Sequence, residues 1–287
     1  MRVDDEIVNW AVEPALKQES KEAVVNLLAA AHAKLCPRWL LRVRMRLLRV
    51  ALTEDSRAVL GRKVSRKGKE TYEVHVLSQD QKAYSPADEV RMSALHPGEK
   101  IMDDGRVLGW GMSRAFGDAA YKWSREIQER LHEEFLGDRV RENFKTPPYF
   151  TDELEITTTE VQPGDFVVFA TDGLWDYLTN EEVVGLVGIW LRGQKSSSGE
   201  GSLNGGASSA EKTGNEKVWV RKELPVKLEE DKTGMYRWWR AKKVLIDVDS
   251  NVAVHLVRNA LGGADRDLTS ALLYMEPPRP QRYRCVP

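Results

Sequence analysis

The sequence predicts a fold of mixed α and β content, and three patterns carry that prediction. From Leu41 to Leu52, the apolar Leu41, Val43, Met45 and Leu47 alternate with Arg42, Arg44 and Arg46, the period of a strand with one apolar and one basic face. The run Phe166 to Ala170 is continuously apolar, as in a buried strand. Helical spacing recurs at Ala23, Val24, Leu27, Leu28 and Ala31, and again over 180–191 and 252–261. With 41% hydrophobic residues, the chain has apolar material for a core, and 287 residues suit one domain with an insertion or two small domains.

Residues 4–35 read as helical, with Pro14 suited to a first turn and Pro37 ending the pattern. The strand from Leu41 continues past Asp55 to Gly61, and a hairpin return at Tyr72 to Leu77 follows a turn at Gly68. Residues 86–95 suit a short helix, and His96-Pro97-Gly98 an exposed loop. The charged stretch 122–143 is a helix or surface element, broken by Pro147-Pro148. Thr151 to Glu160 is β-branched and acidic, a strand that leads through a turn at Gln162 to Asp165 into the apolar run. Asn180 is the expected cap of the next helix, with Glu181 and Glu182 in its first turn. The Gly-, Ser- and Asn-rich residues 193–216 read as a flexible insertion. The aromatic group Tyr236-Arg-Trp-Trp239 suits packing. Val252 to Leu261 ends at Gly262-Gly263, and 264–287 reads as an irregular tail.

Composition narrows the function classes. A net charge of −1 supplies no global field toward nucleic acid or anionic lipid. The arginines between Arg38 and Arg49 lack interleaved aromatics, so a solvated strand face is preferred to a nucleic-acid surface. Cys36 and Cys285 make neither a disulfide framework nor a zinc cluster. No apolar run is long enough to span a bilayer, and no membrane partner is expected. The start Met-Arg-Val-Asp-Asp-Glu is too acidic for a presequence, which points to the cytoplasm or to a targeting segment outside this chain. None of the five histidines lies in a catalytic pattern, and there is no nucleophile elbow or P-loop.

The candidate chemistry sits on carboxylates. Asp172 and Asp176 bracket Gly173-Leu174-Trp175 directly after the apolar run, so they fall at a strand end and in the turn beyond it. Hard divalent cations take oxygen ligands of this kind. The bland alternative is a pair of turn-capping residues. Asp55 also follows an apolar strand; alone it reads as a turn residue pairing with Arg57. The block Ser113-Arg-Ala-Phe-Gly-Asp118 offers an arginine, a hydroxyl and a glycine to an anion, or else an Arg114–Asp118 pair that holds a loop.

Taken in order, EDSRAVLGR (54–62), ADEVRMSALHPGE (87–99), RVLGWGMSRAFGDAAYKW (106–123), the stretch 147–184 with ATDGLWD, and NVAVHLVRNALGG (251–263) resemble the metal-dependent type 2C (PPM) protein serine/threonine phosphatases. The YKW ending and AVHLVRNALGG are most similar to the pyruvate dehydrogenase phosphatase branch, including its fungal mitochondrial members. The resemblance implies an α+β fold, a PPM-type sandwich of two antiparallel sheets flanked by helices. It implies Mg²⁺ or Mn²⁺ as cofactor in a two-metal site and a metal-activated water as nucleophile. The partner it implies is a phosphoserine or phosphothreonine protein, with a mitochondrial dehydrogenase complex as the branch's hint, and the compartment it implies is the mitochondrion. By position, Asp172 matches a cluster ligand, and Asp55 and Asp176 match carboxylates of an additional, weaker metal site. Arg114 and Asp118 match structural motif residues.

This sequence also departs from the family pattern. The Asp-Gly-His-Gly-Gly stretch, the phosphate-holding arginine and the final Asp-rich strand are not in it, and Glu54 stands where the family has glycine. The expectation is therefore a partial PPM-type domain over 1–287, lacking the first strands and the last metal-ligand strand, with weak or no turnover. A non-catalytic protein that binds partners or acts as a decoy is the alternative.

Overall fold

The computed structural model describes residues 40–44, 46–66, 68–81, 86–135, 137–199 and 217–275. The helix expected over 4–35 lies outside them. The described residues form antiparallel sheets flanked by helices, an α+β fold. They divide into two units, one built from residues 40–56 and 78–159, the other from 57–77 and 160–275.

In the first unit the stretch expected as one strand is a hairpin. Strand β1 (Leu40–Arg44) pairs antiparallel with β2 (Leu47–Leu52), and Arg46 turns the chain at φ 66°. The turn resets the alternation. Leu47 faces out, while Leu48, Val50 and Leu52 are buried. On the other side of β2 lies β7 (Glu155–Glu160). Helix α1 (Pro86–Leu95), the two-residue strands β5 (Met102–Asp103) and β6 (Arg106–Val107), and α2 (Arg125–Phe135) complete the unit. Its apolar centre gathers Met92, Ile101, Val107, Tyr121, Tyr149 and Phe150, with Tyr121 stacked on Phe150 at 4.5 Å.

His96, expected in an exposed loop, is buried in this unit. Thr146 donates its hydroxyl proton to Glu99, so His96 Nδ1 is the donor in its 2.8 Å bond to Thr146. Burial holds the imidazole below its ordinary value.

The second unit is built on a three-stranded sheet in the order β4-β3-β8. Strand β3 (Arg57–Arg66) runs through the Gly68 turn into β4 (Lys69–Val76) and pairs on its other side with β8 (Phe166–Ala170). The apolar run is thus a strand, as expected, but its five residues are all half-buried, and among the described residues it stands at the sheet's edge. An apolar run does not by itself distinguish a central from an edge position.

Helix α4 (Asn180–Gly199) packs on β3 and β4 and runs further than expected, into the segment assigned to the insertion. Its cap is Thr179 rather than Asn180. The Thr179 hydroxyl accepts from Glu182 N (3.2 Å) and the Glu182 carboxylate accepts from Thr179 N (2.9 Å), a capping box. Gly188 admits the Tyr72 ring, since a Cβ there would stand 2.6 Å from it.

Strands β9 (Lys217–Val220) and β10 (Val244–Asp247) pair antiparallel, and α5 (Met235–Trp239) lies between them in sequence. Tyr236 in α5 is buried and donates to Asn259 O (2.7 Å), the packing role expected of that aromatic group, whereas Trp238 beside it is exposed. Helix α6 (Val252–Leu261) is capped by Asn251. Its fully buried Asn259 clamps β10, accepting from Ile246 N (2.8 Å) and donating to Ile246 O (2.9 Å). Helix α7 (Arg266–Tyr274), capped by Asp265, occupies part of the tail expected to be irregular.

Candidate functional site

Asp172 and Asp176 belong to the second unit, at the end of β8. The strand stops at Ala170, Thr171 is extended, and the one-turn helix α3 (Asp172–Trp175) begins. Asp176 follows α3, and its N–H donates to Asp172 O at 2.8 Å, so the two carboxylates stand one helical turn apart. Asp172 is half-buried and Asp176 exposed.

The turn is held from beneath. Trp175 is buried and its indole Nε1 donates to Ala170 O at 2.9 Å, tying the helix back to the strand it left. Arg57 lies opposite Ala170 in the β3–β8 register. Its guanidinium rests 5.1 Å from the centre of the Trp175 ring, and its Nη1 donates to Asn180 Oδ1 at 2.8 Å. Arg57 thereby holds the chain on either side of Asp176, at Trp175 by cation–π contact and at Asn180 by hydrogen bond. Its place beside the Asp55 block was visible in the sequence; its service to the Asp172 turn was not.

Asp55 belongs to the first unit, in the turn that leaves β2. Beside it Glu54 adopts φ 78°, the left-handed region that favours glycine, and its carbonyl accepts from Gln81 N at 3.0 Å. Burial, reinforced by the neighbouring Asp118 and Asp55 carboxylates, pushes the Glu54 carboxyl up to about 8. Glu54 is therefore mainly protonated at neutral pH.

Neither reading of the Ser113–Asp118 block matches its surroundings. Arg114 meets Glu153 at 3.2 Å and Asp88 at 3.8 Å, and Asp88 also takes Arg91 at 2.9 Å. The expected Arg114–Asp118 pair is thus replaced by a cluster around Asp88, a buried carboxylate that the sequence did not single out. Ser113 is fully buried, its hydroxyl turned into the protein rather than toward an anion. Asp118 takes a left-handed φ of 45° and opens the short 3₁₀ turn Ala119–Tyr121.

The donor type at Asp172 and Asp176 suits Mg²⁺ or Mn²⁺, which take oxygen ligands, about six in the case of Mg²⁺. The number falls short. Among the described residues no three His, Cys, Asp or Glu side chains converge as a metal-holding group.

An α+β chain with two carboxylates presented just beyond a sheet strand is the kind of protein these features define. The protein phosphatase 2C family profile matches residues 36–200, and the chain belongs to that family. A protein phosphatase 2C homolog of Schizosaccharomyces pombe is 37% identical over 99% of this chain and 58% of its own length. The mitochondrial pyruvate dehydrogenase (acetyl-transferring) phosphatase 1 of Saccharomyces cerevisiae is 30% identical over 99% of this chain and 50% of its own. The rat protein of the same description is 31% identical over 83% of this chain and 43% of its own. The chain is thus related to the pyruvate dehydrogenase phosphatase branch and spans about half the length of these relatives. A Toxoplasma gondii serine-threonine phosphatase 2C structure, at 16% identity and a TM-score of 0.37 over 62% of this chain and 57% of its own, carries no weight in the assignment.

Proposed function

We propose that this chain is part of a Mg²⁺- or Mn²⁺-dependent protein serine/threonine phosphatase, in which Asp172, Asp176 and Asp55 serve as metal carboxylates. Residues 1–287 are read as one partial phosphatase domain with an insertion in its second half. The observation that carries the reading is the turn beyond β8, where Asp172 and Asp176 stand one helical turn apart on a segment pinned by Arg57 and Trp175. The substrate class is a phosphoserine or phosphothreonine protein. The names of the related mitochondrial phosphatases support pyruvate dehydrogenase as the target and the mitochondrion as the compartment.

The 287 residues alone should turn over weakly or not at all, because the family's Asp-Gly-His-Gly-Gly stretch is not in this sequence. One observation favours a second reading, a non-catalytic protein that binds a phosphoprotein partner. Glu54 fills the family's glycine position with a mostly buried side chain on a left-handed backbone, next to Asp55.

A Mn²⁺ titration of phosphothreonine-peptide hydrolysis by the purified chain decides between them. Slow metal-dependent turnover that Asp172→Asn removes supports the phosphatase. A folded chain with no metal-dependent turnover that still retains a phosphoprotein supports the binding protein. Turnover at about 1 s⁻¹ or faster would refute the expectation of weak activity.

A further inference from the structure

The edge of the second unit's sheet opposite β8 has features that the phosphatase reading does not use. Among the described residues strand β4 is the outer strand there. Leu77 N bonds inward to Ala58 O, whereas Tyr72 N bonds outward to Pro225 O at 2.8 Å. The antiparallel alternation therefore directs the backbone N–H and C=O groups of Val74 and Val76 away from β3. A passing segment meets β4 in a parallel bridge at Tyr72–Val226, and no further bridge forms along it among the described residues. Beyond that point a groove of about 600 Å³ opens between Glu73–Val76 on one side and Lys227–Glu229 on the other. Val76 is 51% exposed at its mouth. His75, which lines the groove, has a buried Nε2 with no hydrogen-bond partner among the described residues. Three carboxylates, Glu73, Glu181 and Glu229, line the groove against one ammonium, Lys227.

We propose that this groove is a docking site for an extended basic peptide segment, which adds as a strand along the free edge of β4. An exposed edge offers unpaired backbone donors and acceptors that another chain can satisfy. The bridge to Val226 already shows the strand accepting a parallel neighbour over one residue. Val74 and Val76 supply the next two rungs, and the carboxylates of the walls select lysine or arginine side chains over acidic ones. The inference concerns binding alone and stands whether or not the chain is catalytic.

The test uses the whole chain and short fluorescent peptides, read by anisotropy. A peptide of alternating lysine and valine should bind about ten-fold tighter than one of alternating glutamate and valine. N-methylation of alternate amides in the lysine peptide, which deletes the rungs while keeping the side chains, should weaken binding several-fold, at ~1 kcal/mol per lost bond. Glu229→Lys on the exposed wall should reduce affinity for the lysine peptide, and Val76→Pro should do so by removing an outward N–H that β3 does not use. Unchanged far-UV circular dichroism checks that each variant is folded. Absence of saturable binding by the lysine peptide, or equal affinity for its N-methylated form, would overturn the proposal.

Discussion

Replacing Gly61 by alanine should loosen the strand that presents Asp172. Gly61 stands opposite Phe166 in the β3–β8 register, and the phenylalanine ring lies over the place a side chain would occupy. An alanine Cβ would stand 2.3 Å from Cζ, 2.7 Å from Cε2 and 2.8 Å from Cε1. Ordinary contact begins at 3.4 Å, so the ring tip must retreat by 3.4 − 2.3 = 1.1 Å. That movement disturbs its edge contact with Tyr72, where the ring centres are 5.4 Å apart. Overpacking of this kind costs about 1–3 kcal/mol, and a lost aromatic pair about 0.5–1.5 kcal/mol. Alanine recovers roughly 0.4–1 kcal/mol by restricting the unfolded chain. The net expectation is a loss of about 1–3 kcal/mol. Urea unfolding followed by circular dichroism measures it, and Phe166→Ala closes a double-mutant cycle. With the ring gone, Gly61→Ala should be neutral or slightly stabilising, which gives a coupling energy of about 2 kcal/mol. Equal destabilisation in both backgrounds would show that the Phe166 contact is not the cause.

Other regions give further expectations. Glu182 is fully buried between Arg221 Nε at 2.7 Å and Lys243 Nζ at 2.9 Å, and Lys243 also meets Asp231 at 3.0 Å, so Glu182→Gln should cost about 3 kcal/mol in a denaturant titration, chiefly by leaving Arg221 without its carboxylate. Glu54→Gly removes a left-handed non-glycine residue and should stabilise the first unit by about 1–2 kcal/mol, read by a rise in thermal midpoint. His255 is fully buried and faces Asp247 at 3.8 Å, with Asp249 and Arg258 nearby; burial holds its pKa below the ordinary 6.5. The unfolded chain then binds the proton more readily, so the contribution of His255 is complete above pH 6.5 and is lost as pH falls through its lower folded value. Stability measured from pH 8 to pH 5 should fall less steeply in His255→Leu, although the similarly lowered His96 keeps part of the slope.

The elements visible in the sequence were those whose signal is local. The Gly68 turn and the abrupt end of the apolar run at Ala170 both lie within a few residues of what they specify, whereas the cap of the next helix, expected at Asn180, is Thr179 one residue earlier. The run's end placed Asp172 correctly at the foot of a strand. The hairpin at Arg46 was missed because Arg-Met-Arg carries no turn residue and the alternation persists across the break. Asp88 was missed because its partners, Arg91 and Arg114, are three and 26 residues away, and nothing in a local window marks the longer contact. A metal centre is harder still to read, since its ligand count is set by which strands are neighbours rather than by any one motif.

Strand register connects the glycine to the aspartates. Arg57, Val59 and Gly61 share one face of β3, opposite Ala170, Val168 and Phe166 of β8. A slip of one residue would turn every side chain of β8 to the other face, taking Phe166 from the notch at Gly61 and Ala170 from its place opposite Arg57. The notch therefore does more than accommodate a ring. In the register it favours, the Arg57 guanidinium reaches both the Trp175 ring and Asn180, and these two contacts bracket Asp176. A side-chain vacancy on one strand thus fixes, four residues away, the geometry of the acidic turn on the next.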